Sequence, residues 1–167
     1  MRHIISVLLE NQPGALSRVA GLFSARGYNI ESLTVAPTND DTLSRMTIVT
    51  IGDDRKIDQI EKQLNKLVDV AILQDITVSA HLEREVVLIK LSLNPTKDSA
   101  KKNDLDRVVT AFNASLHDSA ENQYVVEMSG SSEKVDELIN SLSNVDIIEL
   151  ARSGVTGLAI GERILKI

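Results

Sequence analysis

Apolar positions near the amino end of the chain follow first the period of a strand and then that of a helix. The run from Ile4 to Leu9 is almost wholly apolar, which predicts a buried strand. From Leu16 to Phe23 the apolar residues recur at i, i+3, i+4 and i+7, the spacing of one helix face, and Gly27 ends that pattern. The first predicted unit is therefore a strand that passes through a short turn into a helix.

Two more strands, a second helix and a closing strand complete the predicted first domain. Residues 28–37 and 43–51 are rich in β-formers, and the polar turn between them predicts a hairpin. A second amphipathic pattern follows Gly52, and residues 70–79 read as the last strand. The order β-α-β-β-α-β is the ferredoxin-like motif, in which a four-stranded antiparallel sheet carries both helices on one face.

The second half of the chain repeats this organisation. The apolar pattern from Gly52 to Val70 recurs from Gly130 to Ile148, after a strand at 86–93 and a helix that ends near Phe112. We therefore predict an α+β fold made of two ferredoxin-like domains. The predicted boundaries are a first domain at 1–79, a linker at 80–85 and a second domain at 86–167.

The turn Asn11-Gln12-Pro13-Gly14 between the first strand and the first helix carries the leading functional hypothesis. The first N–H groups of a helix lack partners and are positively polarised, so they form a natural site for a carboxylate. Gly14 has no Cβ, which lets a ligand approach the amides of Ala15 and Leu16, and the Asn11 amide is available to orient it. The alternative is an ordinary strand-to-helix turn with no ligand.

Asn29 opens the strand that follows the first helix. It is either a turn residue after Gly27 or part of a site shared between two chains. If two copies pair side by side so that their sheets join, Asn29 of one chain faces the glycine turn of the other. Ligand binding would then be coupled to assembly.

Composition and charge exclude several classes of function. The chain has no cysteine, so it has neither disulfides nor thiolate metal sites, and it fits a reducing cytosol. Its net charge of −6 argues against nucleic-acid binding, and no apolar run is long enough to span a membrane. The three histidines are dispersed, and no cluster has catalytic or metal-ligand spacing. These features predict a cytoplasmic binding protein without a catalytic or metal site.

Three segments resemble a known family. They are 5–19, the run Gly27-Tyr28-Asn29-Ile30-Glu31-Ser32-Leu33-Thr34-Val35, and Ser44-Arg45-Met46-Thr47-Ile48. Together they are similar to the small regulatory subunit of acetolactate synthase (acetohydroxyacid synthase), whose first domain is an ACT domain. The segment 149–154 also resembles that family's ending, whereas the similarity is weak between Leu93 and Asn122.

The resemblance implies a homodimer, joined through its ACT domains, that regulates a separate catalytic subunit. It implies activation of that large subunit and feedback inhibition by a branched-chain amino acid, with valine as the expected effector. Thiamine diphosphate, Mg²⁺ and FAD are expected in the catalytic partner and no cofactor in this chain. The effector site implied by the resemblance is Asn11, Gly14, Ala15 and Leu16 of one subunit with Asn29 and Ile30 of the other. The alternatives are a stand-alone ACT-type amino-acid sensor, a module of another biosynthetic enzyme, and a metal-responsive transcription regulator.

Overall fold

A computed structural model describes residues 1–166, and these divide into two compact units. The first unit contains residues 1–83 and the carboxy-terminal residues from Val155 onward, and the second contains Arg84–Gly154. One sheet has four strands and the other has five, in which a short last strand pairs beside four antiparallel ones. Each set of four antiparallel strands carries two helices, so the predicted α+β, ferredoxin-like fold is confirmed.

The elements of the first unit follow the ferredoxin-like order. They are β1 (Arg2–Glu10), α1 (Ala15–Ala25), β2 (Ser32–Pro37), β3 (Leu43–Ile51), α2 (Asp54–Leu64) and β4 (Val70–Asp75). The strand order is β2-β3-β1-β4, so β2 lies at one edge of the sheet. Ile5, Val7 and Leu9 of β1 point toward the helices and pack in the main core with Val19 and Phe23 of α1.

The second unit repeats the pattern with its own core. Its elements are β5 (His81–Ser92), α3 (Ser99–Ala111), β6 (Ser115–Ala120), β7 (Gln123–Gly130), α4 (Ser132–Ser141) and β8 (Asp146–Arg152). The strand order is β6-β7-β5-β8. Val87, Ile89 and Leu91 of β5 are fully buried under the helices, where they contact Leu105 and Leu138.

The structure differs from the predicted domain ranges in two places. The residues predicted as a linker begin β5 at His81, because the backbone is extended and alternate side chains in this stretch are half-buried or buried. Residues from Val155 onward, predicted within the second domain, instead belong to the first unit. There β9 (Thr156–Ala159) lies near Ile4, Val49 and Ile76 on the sheet face away from the helices.

Two predicted strands are shorter than their β-rich sequence suggested. The strand expected from Tyr28 begins only at Ser32, because the Tyr28 N–H donates to the Phe23 carbonyl and so completes the end of α1. The strand expected to reach Ser79 ends at Asp75. There the Asp75 carboxylate accepts the Thr77 N–H at 2.8 Å and turns the chain.

Candidate functional site

Gly14 forms the entry to α1 in a conformation that favours glycine. Its φ is +91°, and the helix begins at the next residue with no side chain capping it. The Ala15 N–H donates to the Gln12 carbonyl at 3.2 Å, so this predicted ligand amide already has a weak partner inside the turn. Leu16 follows at the second helical position, where an N–H has no intrahelical acceptor.

Asn11 links the glycine turn to the β2–β3 hairpin by hydrogen bonds. Its side-chain nitrogen donates to the Asp41 carbonyl at 3.0 Å, and its side-chain oxygen accepts from the Ser44 hydroxyl at 3.1 Å. The Asn11 backbone N–H also donates to the Thr42 carbonyl at 2.7 Å. Since an amide nitrogen carries two hydrogens, one remains for a ligand after the bond to Asp41 is made.

Arg18 lies directly beside Gly14, which the sequence analysis did not foresee. A Cβ built on Gly14 would stand 2.9 Å from Arg18 Nη1. Arg18 Nη2 donates to Asp69 Oδ1 at 2.6 Å, and Arg18 Nε donates to the other carboxylate oxygen. This hydrogen bonding lowers the pKa of the buried Asp69 carboxyl and raises the pKa of Arg18. The four-residue spacing from Gly14 along α1 was the signal that could have revealed Arg18.

A cavity of about 270 Å³ opens beside the glycine turn. Three of the predicted site residues line it, namely Asn11, Ala15 and Leu16. The remaining lining residues come from the end of β1, the turn, the end of β2 and the start of β3: Leu9, Glu10, Gln12, Val35, Ala36, Pro37 and Ser44. Apolar walls next to polarised helix amides suit a small molecule that has a carboxylate and an aliphatic side chain. The hairpin residues were missed because they reach the cavity only through strand pairing.

Asn29 and Ile30 do not line this cavity. The Asn29 carbonyl accepts from the Thr50 hydroxyl at 2.7 Å, near the last residue of β3, whereas the Asn11 N–H bonds next to the first. At strand spacing these two places are roughly 25 Å apart. The Asn29 side chain is exposed and donates to Glu31 at 2.6 Å, and Ile30 packs partly on the core. Within one chain, the six predicted residues therefore form two separate groups.

The histidines have structural partners in the described residues. His3 is buried and lies 2.8 Å from the Asp75 carboxylate, while His81 contacts the Ser79 carbonyl and His117 contacts Glu127. Among residues 1–166, no group of three or more His, Cys, Asp or Glu side chains is arranged to hold a metal ion. None of the helices in this range is long and apolar enough to cross a membrane.

Family models and curated relatives match the chain over both units. Residues 5–72 match the AHAS small subunit-like ACT domain, and residues 84–161 match the small subunit of acetolactate synthase. The chain is 51% identical to the acetolactate synthase isozyme 3 small subunit of Escherichia coli, with 99% of this chain and 100% of that protein covered. The chain belongs to the acetolactate synthase small-subunit family. The predicted resemblance is thereby confirmed.

Two further relatives show that the similarity extends beyond close sequences. The chain is 42% identical to a probable acetolactate synthase small subunit of Archaeoglobus fulgidus, over 98% of this chain and 99% of that protein. It superposes on the crystal structure of the acetolactate synthase small subunit of Thermotoga maritima with a TM-score of 0.85 and 34% identity. That match covers 98% of this chain and 99% of the other. Membership of this family places the chain in branched-chain amino acid biosynthesis as a regulatory subunit.

Proposed function

We propose that this chain activates the catalytic subunit of acetolactate synthase and makes it sensitive to feedback inhibition by valine. Family membership supports the regulatory role and a catalytic large subunit as the partner. Thiamine diphosphate, Mg²⁺ and FAD belong to that partner, which condenses two pyruvate molecules to 2-acetolactate and CO₂. This chain supplies no catalytic group and acts in the cytoplasm.

The cavity beside Gly14 is the observation that supports an amino-acid effector. The ligand carboxylate lies at the start of α1 near the Leu16 N–H, and Asn11 offers its second amide hydrogen. The aliphatic side chain lies against the apolar walls that Leu9 and Val35 provide. Burial of a small branched side chain there contributes about 1.5–3 kcal/mol to binding.

The edge position of β2 supports a site completed by a second copy of the chain. Val35, Ala36 and Pro37 line the cavity at the end of β2, and Asn29 and Ile30 precede its start. When two β2 edges pair antiparallel about a two-fold axis, the start of one strand lies beside the end of the other. Asn29 and Ile30 of the partner subunit then reach the cavity of the first subunit.

Regulation follows from the difference in effector affinity between two states of the holoenzyme. A ligand shifts an equilibrium only by its differential affinity for the two states. Valine bound across the pair of ACT domains stabilises a less active arrangement of the catalytic subunits. Without valine, the association with this chain stabilises the more active arrangement.

The test combines the full chain with the catalytic subunit of the same organism and measures acetolactate formation with and without valine. Gly14→Asp adds a negative charge at the start of α1, beside Arg18, where it repels the ligand carboxylate. We therefore expect activation to persist and valine inhibition to disappear. Gly161→Asp is the matched control, since Gly161 also has a positive φ of +87° but an added Cβ there meets no atom within 4 Å. Loss of activation by Gly14→Asp with valine inhibition retained would contradict the assignment.

Asn29→His tests the half of the site supplied by the second copy. The Asn29 backbone carbonyl holds the Thr50 hydroxyl, while the side chain contacts only the neighbouring Glu31 among the described residues. The variant is therefore expected to fold and activate normally but to lose sensitivity to valine. Binding of valine by the isolated chain without any effect on the catalytic subunit would instead favour the stand-alone sensor.

A further inference from the structure

Arg45 lies on the sheet face of the first unit that is turned away from the helices. In the strand register it stands between Leu8 of β1 and Ala36 of β2, both of which lack polar side chains. Its guanidinium donates to the Ser6 hydroxyl at 3.0 Å. Among residues 1–166, no carboxylate pairs with it, whereas Arg18 and Arg152 both hold carboxylates.

Partial burial without a counter-charge makes this guanidinium energetically costly. Desolvation lowers the pKa of Arg45, yet an arginine keeps its proton in a protein. A desolvated cation gains free energy when an anion with matching geometry binds beside it. A guanidinium presents parallel N–H donors that fit either a carboxylate or a phosphate group.

Arg45 lines a cavity of about 940 Å³, which we call the Arg45 cavity. Its volume falls within the range of about 300–1,000 Å³ that is typical of small-molecule sites. Leu8, Ala36 and Leu165 give it apolar walls, and Lys166 adds a second positive charge. The carboxylate of Asp40 also lines it, but that group already accepts the N–H and the hydroxyl of Thr42.

We propose that the Arg45 cavity binds an organic anion whose carboxylate or phosphate group pairs with Arg45 and whose apolar body lies against Leu8, Ala36 and Leu165. The site lies on the opposite face of the sheet from the helices, and its charged group is distinct from the amides at the start of α1. The proposal does not depend on the chain's role as a valine sensor.

The test uses three probes that share an aromatic body and differ in charge: benzoate, phenyl phosphate and the uncharged benzamide. NMR of the full-length chain follows the Nε–H signal of Arg45 during each titration. We expect at least one of the two anions to shift this signal saturably and benzamide to leave it unchanged. The anion that binds more tightly identifies the preferred group. Absence of a shift with both anions, or equal binding of benzamide, would overturn the proposal.

Two variants check that binding depends on this charge. Arg45→Gln should weaken anion binding by about tenfold or more, the usual loss for a charge-assisted hydrogen bond. The control Arg26→Gln removes an exposed arginine that donates to Gln63 outside the Arg45 cavity, so anion affinity should not change. Unchanged affinity in a folded Arg45→Gln chain would refute the site. If Arg45→Gln does not fold, the wild-type titration still decides the question.

A third variant separates this proposal from the effector site. Gly14→Asp alters the glycine turn but none of the residues that line the Arg45 cavity. That variant should therefore bind the anions as the wild type does, whatever it does to valine inhibition. Parallel loss of anion and valine binding in Gly14→Asp would show that the anions occupy the effector site, and the Arg45 proposal would fall.

Discussion

The absence of a side chain at Gly14 affects both the backbone of the turn and the neighbouring Arg18–Asp69 ion pair. The φ of +91° at Gly14 is strained for any other residue, and an added Cβ would press on Arg18, which holds the buried Asp69 carboxylate. A substitution at Gly14 therefore reaches the Arg18–Asp69 pair as well as the ligand. Because two hydrogen bonds hold this guanidinium to Asp69, we expect a side chain at Gly14 to displace Arg18 and change the shape of the turn.

Glu61 offers a test of electrostatics at the residue scale. Its pKa is raised, first by burial and then by the nearby carboxylates of Asp75 and Asp58. A raised pKa means that the folded state binds the proton more tightly than the unfolded state, so the free energy of unfolding falls as pH rises from about 4 through the folded pKa.

The variant Glu61→Gln removes this titration and keeps an acceptor oxygen. We expect it to be more stable than the wild type at neutral pH, with the difference shrinking toward pH 4. Urea unfolding across this range measures the effect. A stability difference that does not change with pH would show that Glu61 ionises alike in the folded and unfolded chain.

The helices differ in how their first turns are stabilised. The Asp53 carboxylate caps α2 by accepting the Lys56 N–H at 2.8 Å, and Ser131 caps α4 in the same way. No side-chain cap bond is present at α1, which begins after Gly14, or at α3, which begins after Asp98. At the candidate effector site, therefore, no side chain accepts from the first amides of α1, although the Ala15 N–H donates to the Gln12 carbonyl.

We expect Asp53→Ala to destabilise α2 by about 1 kcal/mol, the usual value of an N-cap. Asp98→Ala is the matched control, because Asp98 occupies the same position before α3 without making a cap bond. Hydrogen exchange of the amides in each helix measures the change. Equal losses in the two helices would show that the cap bond itself is not the source of stability.

At the scale of the whole molecule, the carboxy-terminal segment belongs to the first unit. The Val155 carbonyl accepts from the Thr34 hydroxyl at 2.8 Å, and the Val155 side chain is buried with Ile4, Val49 and Ile76. The same segment supplies Thr156 and Leu165 to the Arg45 cavity. Both faces of the first unit's sheet therefore carry packed structure.

Gly157 of β9 packs closely against Ile76 and leaves no room for a side chain. A Cβ there would stand 2.7 Å from Ile76 Cδ1, so Gly157→Val forces β9 or Ile76 to shift. We expect a loss of about 1–3 kcal/mol in the free energy of unfolding, typical of overpacking. Leu158→Val next to it is the control, since Leu158 is 54% exposed and should change stability by less than about 0.5 kcal/mol. Equal effects would show that the segment does not pack as described.

Local signals in the sequence predicted most of the fold. The apolar periods predicted the type and order of the helices and of seven strands, because each pattern must bury one face of its own element. The largely exposed β6 was expected only from the repeated order of elements. The short strand β9 was not foreseen, since four residues carry too little periodicity and its partners lie far away in sequence. Composition did not indicate the family. Specific motifs did, and the matching family models confirmed it.

The sequence by itself determined the glycine turn, because a glycine followed by a helical pattern is a local feature. Only the tertiary structure decided what surrounds it. Strand pairing carries Val35 and Pro37 to the cavity, α1 brings Arg18 to Gly14, and the hairpin binds Asn11. The tertiary structure also placed Asn29 at the far end of the sheet and Arg45 in the wall of a second cavity. These contacts join residues that are distant along the chain, so no local pattern of the sequence encodes them.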